Sequence, residues 1–138
     1  MSDTKTSDKV VKTEAEWRKE LTPMQYAVLR EKATERPFSG EYEHEHRAGS
    51  YVCAGCGNVL FESDAKFDSG CGWPSFTQPA VESHIDEERD VSHGMLRTEV
   101  LCASCHSHLG HLFDDAPQTP TGDRYCINSV SIRLAPAE

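Results

Sequence analysis

The sequence predicts a mainly β domain with short helices at its N-terminal end, and three observations carry that prediction. Capped segments with helical apolar spacing are confined to the stretch before Pro37. From Ser39-Gly40 onward, short runs of β-formers alternate with turn residues. Two C-x-x-C pairs, Cys53-Ala54-Gly55-Cys56 and Cys102-Ala103-Ser104-Cys105, each follow such a run directly. At 138 residues the chain makes one domain with room for a core.

Residues 1–12 are polar and aperiodic and read as a disordered tail, so the domain is expected to run from 13 to 138. Thr13-Glu14-Ala15-Glu16 is a capping-box pattern with Trp17 and Leu21 one turn apart behind it. Thr22-Pro23-Met24-Gln25 opens a second helix, with threonine suited to the cap and proline to the first helical position. That helix should end before Pro37. The pair of helices is expected to cover an edge or opening of the sheet.

Tyr51-Val52-Cys53 and Val59-Leu60-Phe61 flank the first C-x-x-C and place it on a hairpin turn. Ala80 to Ile85 is a candidate strand, Asp86 to Asp90 a charged solvated turn, and Met95 to Leu101 a strand leading into the second C-x-x-C. His108 to Phe113 reads as a further strand and Asp114 to Asp123 as a loop. Arg124-Tyr125-Cys126-Ile127-Asn128-Ser129, continuing to Leu134, reads as the closing strand, with Arg124, Cys126, Asn128, Val130, Ile132 and Leu134 on one face.

Net charge of −9 and a pI near 5.2 disfavour phosphate backbones, so no nucleic-acid partner is expected. No apolar run reaches membrane-spanning length, and the N-terminus carries no signal segment. The expectation is a cytoplasmic protein without a membrane partner. In a reducing compartment, six cysteines do not read as three structural disulfides.

Four of the six fit an all-cysteine structural zinc site, with Cys53, Cys56, Cys102 and Cys105 closing a tetrahedron and leaving no open position. A dithiol redox pair, replacement of one sulfur by His106 or His108, and an iron–sulfur cluster are the competing readings. Cys126 has a cation two residues before it and an amide two residues after. A guanidinium favours the nucleophilic thiolate, and the alternative is a small buried hydrophobe. Cys71 lies in Ser69-Gly70-Cys71-Gly72-Trp73-Pro74-Ser75-Phe76, where flanking glycines and aromatic surface suit either a resolving thiol or a tight turn beside a core tryptophan. His108 and His111 would face opposite ways on a regular strand, and Gly110 between them invites a bulge that brings both to one side. His106 has no assigned role. His44, His46 and His84 read as surface residues, and His93 as bordering the site.

The strings SGCGWPSF, HLGHLFDD and RYCINS, taken with the paired C-x-x-C motifs, resemble the B-type methionine sulfoxide reductases over roughly Trp17 to Leu134. The resemblance implies two antiparallel sheets (a β-tent) and reduction of the R epimer of methionine sulfoxide, mainly in proteins. It implies Cys126 as nucleophile and Cys71 as resolving cysteine, with a Cys71–Cys126 disulfide recycled by thioredoxin. His108, His111 and Asn128 would manage the sulfoxide oxygen and its protons. Trp73, Phe113 and Arg124 would form the substrate site, in a monomer carrying one structural zinc.

Overall fold

The computed structural model describes residues 12–36, 40–42, 45–67, 72–91, 97–114 and 119–136. The N-terminal tail up to residue 11, and Cys71, His44 and His93, lie outside the described residues. Both helices start as their caps require. Before α1 (Glu14–Glu20), Thr13 Oγ1 accepts from the Glu16 amide at 3.2 Å while Glu16 Oε1 accepts from the Thr13 amide at 2.8 Å. Thr22 and Gln25 repeat the exchange at 3.1 and 2.9 Å before α2 (Pro23–Glu31). Lys32 in the left-handed conformation (φ 63°) ends α2, and the chain then runs irregularly across the molecule to residue 36.

Among the described residues, nine strands form two antiparallel sheets: β1 (Gly49–Cys53), β2 (Val59–Glu62), β3 (Lys66–Phe67), β4 (Ser75–Phe76), β5 (Ile85–Asp90), β6 (Arg97–Cys102), β7 (His108–Phe113), β8 (Arg124–Ile127) and β9 (Ile132–Pro136). The smaller sheet has the order β2-β1-β9 and the larger β3-β4-β8-β7-β6-β5. An aromatic cluster joins them. Phe61 of the small sheet stacks on Phe76 of the large one with centroids 4.4 Å apart, and Tyr51 meets Phe76 edge-on at 5.1 Å. The helices pack on β7 and on the turn after β8, with Trp17, Tyr26 and Leu29 in the shared core.

Four expectations need correcting. The stretch from Arg124 to Leu134 is not one strand. It breaks at Asn128, makes a short 3-10 turn over Ser129–Ser131, and re-forms as β9 in the other sheet. The break is held from far away in sequence, since the Val130 amide donates to Glu35 Oε1 at 3.1 Å rather than to a strand. Alternation therefore fails beyond Asn128. Residues Asp86 to Asp90 are not a turn but most of β5, paired with β6 from Ile85↔Cys102 to Asp90↔Arg97. The preceding Glu82–His84 is the 3-10 turn. Charged residues can occupy this strand because it is a sheet edge. His84, expected at the surface, is buried, its Nδ1 2.5 Å from the Val59 carbonyl oxygen.

Candidate active site and metal centre

The metal centre follows from two hairpin turns of the same design. In the β1–β2 turn the Gly57 amide donates to the Cys53 carbonyl at 2.8 Å, and in the β6–β7 turn the His106 amide donates to the Cys102 carbonyl at 2.7 Å. Gly57 (φ 84°) and His106 (φ 64°) hold equivalent left-handed positions after the second cysteine of each pair. The four sulfurs lie within 4.8 Å of one another, with Cys53–Cys105 at 3.7 Å and Cys56–Cys102 at 3.6 Å. A tetrahedral zinc with bonds near 2.3 Å has sulfur–sulfur edges of about 3.8 Å, so the cluster has the right size. Neither His106 nor His108 belongs to this group, which among the described residues consists of the four cysteines.

The charge distribution asks for a cation. Hydrogen bonds from Cys102, Cys53 and Cys56 hold the Cys105 thiol far below its usual range, while Cys102, Cys105 and Cys56 together push Cys53 well above it. Without a metal, Cys53 and Cys56 keep their protons while Cys102 and Cys105 give theirs up more readily. With one, four thiolates are compensated. Neighbouring groups brace it: the Gly55 amide donates to Cys53 Sγ at 3.3 Å, and Ser107 Oγ lies 3.0 Å from Cys105 Sγ. Arg30 Nη1 donates to the Cys105 carbonyl at 2.9 Å while its guanidinium lies over Trp17, which ties α2 to the same knuckle.

Cys126 sits elsewhere, at the middle of the large sheet. Cross-strand pairing places Ser75 of β4 opposite it on one side and His111 of β7 on the other, while Phe113 lies opposite Arg124. Strands β7 and β8 come so close that a Cβ on Gly110 would lie 2.0 Å from the Cys126 carbonyl oxygen, so only glycine fits there. Arg124 Nη1 donates to Cys126 Sγ at 2.9 Å, and the guanidinium lies over the Phe113 ring at 4.6 Å. A hydrogen bond from a fixed cation favours the ionised sulfur. Ser75 Oγ lies 3.8 Å from the same sulfur.

These groups open on a cavity of about 140 Å³. Cys126, His111, Asn128, Arg124, Phe113 and Trp73 all border it, six of the residues expected from sequence. Thr34, Arg97 and Gly110 border it as well. Trp73 is fixed by an indole hydrogen bond to the Glu35 carbonyl at 3.0 Å. Asn128 is fixed at both ends of its amide: Nδ2 donates to the Leu109 carbonyl at 3.0 Å, and Oδ1 accepts from the Glu35 amide at 3.0 Å.

The expected bulge exists. Opposite Val100–Leu101, strand β7 offers Gly110 and then His108, so Leu109 is the extra residue. Its carbonyl receives both the main-chain and side-chain N–H of Asn128. The bulge brings the His108 and His111 rings to 5.5 Å, edge to face. His111 borders the cavity, and its Nε2 lies 2.8 Å from Asp90 Oδ2, which also accepts from Arg97. His108 is buried off the cavity wall. Its Nδ1 lies 2.8 Å from Glu99 Oε2, and its Nε2 has no partner among the described residues. The sequence reading missed Asp90, Glu99 and Arg97, which pairing across strands and not local spacing brings in, and Thr34, which arrives with the irregular stretch after α2.

Burial pushes His108 below the usual imidazole value of 6.5, against the opposing pull of Glu99, with His111 and Lys32 lowering it further. The folded state therefore binds this proton less readily than the unfolded chain. The neutral-imidazole contribution is fully present above about pH 6.5 and is lost as pH falls through the lower folded value. Urea midpoints at about pH 7.5 and 5.5 should fall further for the wild type than for His108→Gln, and equal losses would contradict this assignment.

The chain matches the SelR domain over residues 21–136. It is 80% identical over 131 residues to the peptide methionine sulfoxide reductase MsrB of Bradyrhizobium diazoefficiens, covering 95% of this chain and 94% of that one. The protein of the same name from Chromohalobacter salexigens is 57% identical, covering 96% and 99%. That from Hahella chejuensis is 58% identical, covering 95% and 94%.

Proposed function

The chain belongs to the SelR domain family, and on that premise we propose that it is a peptide-methionine (R)-S-oxide reductase with Cys126 as its nucleophile. The observation that carries this reading is the contact of Cys126 Sγ with the Arg124 guanidinium, in a cavity bordered by His111 and walled by Trp73. The sulfoxide sulfur becomes electrophilic as its oxygen is protonated, a task suited to imidazoles beside a carboxylate such as the His111–Asp90 pair. The thiolate attacks that sulfur and forms an S–S bond. The protonated oxygen then shifts to Cys126 Sγ as the S–O and S–S bonds to the substrate break, so methionine leaves as the thioether and Cys126 is left as a sulfenic acid. The thiol of Cys71 then displaces water to form the Cys71–Cys126 disulfide. Thioredoxin, giving two electrons and two protons from its own dithiol, restores both thiols.

The indole of Trp73 and the ring of Phe113 give the cavity an apolar side for the substrate methyl group, and His111 and Asn128 give it a polar one. The S epimer would exchange methyl and oxygen between these sides, which accounts for the choice of R. Arg97 and Phe113 also border a wider groove of about 560 Å³, which leaves room for polypeptide on either side of an oxidised methionine. The four-cysteine centre holds one structural zinc in this reading. Among the described residues, no helix is long and apolar enough to cross a membrane. A cytoplasmic monomer is the form we assign.

The test is mass spectrometry of the protein and of Cys71→Ser after one equivalent of each epimer. The wild type should consume only the R epimer and yield a linked Cys71–Cys126 peptide. Cys71→Ser should release one methionine per chain, retain a trappable sulfenic acid, and fail to turn over with thioredoxin. Equal use of both epimers would overturn the stereochemical reading, and undiminished recycling would remove Cys71 from its role.

A further inference from the structure

Residues 33–36, just after α2, run beside the cavity, and one buried residue among them touches two of its walls at once. We infer that Glu35 is a positioning residue for the substrate cavity, acting through Trp73 and Asn128. This rests on the reductase reading only for its activity measurement. Its main-chain carbonyl accepts the Trp73 indole N–H at 3.0 Å, and its main-chain amide donates to Asn128 Oδ1 at 3.0 Å. The apolar wall and the polar amide are thereby referenced to a single peptide segment. Thr34, its neighbour, borders the cavity directly.

The side chain explains why this segment stays in place. Glu35 is 4% exposed, an uncommon fate for a carboxylate. Oε1 accepts the Val130 amide at 3.1 Å, at the turn that ends β8 immediately after Asn128. The Ser129 amide and hydroxyl also face the carboxylate and favour its charged form, and Gly40 packs over Oε2, where an added Cβ would lie 2.5 Å from Oε2 and 2.2 Å from Ser129 Oγ. Burial raises the carboxyl's affinity for its proton. The anchor therefore depends on shape and on hydrogen bonds accepted from Ser129 and Val130, which a glutamine amide oxygen can also accept. Deleting the carboxyl group releases the segment from the Ser129–Ser131 turn. Trp73 and Asn128 then lose a common reference.

The sequence has two tryptophans, so Trp17→Phe leaves Trp73 as the sole emitter. In that background Glu35→Ala should shift Trp73 emission to longer wavelength and increase its quenching by acrylamide. KM for an R-sulfoxide peptide should rise about 10-fold with a smaller change in kcat, and Glu35→Gln should recover both readouts. Glu35→Asp, one methylene short, and Gly40→Ala, which crowds Oε2, should reproduce the spectral change if the alanine variant does not fold. Unchanged emission and KM in Glu35→Asp and Gly40→Ala would overturn the assignment. An emission change in a protein that never consumes sulfoxide would support the positioning role while contradicting the reductase reading.

Discussion

Replacing Cys126 by serine should abolish even a single turnover with methionine R-sulfoxide, a loss of roughly 10³-fold or more in the rate of methionine release. The serine hydroxyl would occupy the same place between Ser75, His111 and Arg124. It would be a far weaker nucleophile there, because an aliphatic alcohol keeps its proton near neutral pH much more firmly than a thiol does. The fold should survive, since the substitution is nearly isosteric at a position bordering a cavity. Quenched-flow measurement of methionine released per chain, with a melting curve as control, decides it. One equivalent released by the folded serine variant would place the nucleophile elsewhere.

Removing the metal should have an equally large effect on a different quantity. Cys105→Ala deletes one of the four sulfurs of the cluster and should leave the protein without bound metal, with chelator treatment of the wild type giving the same product. A closed four-sulfur zinc site contributes on the order of 10 kcal/mol to folding, comparable to the entire stability of a typical domain. The expected outcome is a chain that has lost its cooperative thermal transition. Elemental analysis alongside circular dichroism tests both halves of the statement. An alanine variant that keeps one metal per chain and melts like the wild type would contradict the closed site. Activity should vanish with the metal even though the site lies apart from the cavity, because β7 starts three residues beyond Cys105 and carries His111 and Phe113 at its other end.

The parts of this molecule legible from sequence are those whose geometry is set within a few residues. Both capping boxes formed as their spacing requires, both C-x-x-C pairs lie on hairpin turns, and Gly110 marks a real bulge between two histidines. The parts that were not legible depend on residues far apart in the chain. Glu35 and Val130 are 95 positions apart, yet their hydrogen bond ends β8 where β-propensity alone would have continued it. Glu99 and Asp90 became partners of the histidines through the β5–β6–β7 register, which no local spacing encodes. The charged run Asp86 to Asp90 misled for a related reason: a strand needs apolar alternation only when one face is buried, and this one is exposed over its middle.

That exposed strand has a consequence for the company such a protein keeps. Damaged, partly unfolded polypeptides present extended segments with unsatisfied main-chain groups, and an unguarded sheet border is a template for them. Here the border strand β5 reads Ile-Asp-Glu-Glu-Arg-Asp, with five ionised side chains among its six residues. A client chain adding itself there would have to bring neutralising charge in register. Main-chain addition along this flank is therefore disfavoured.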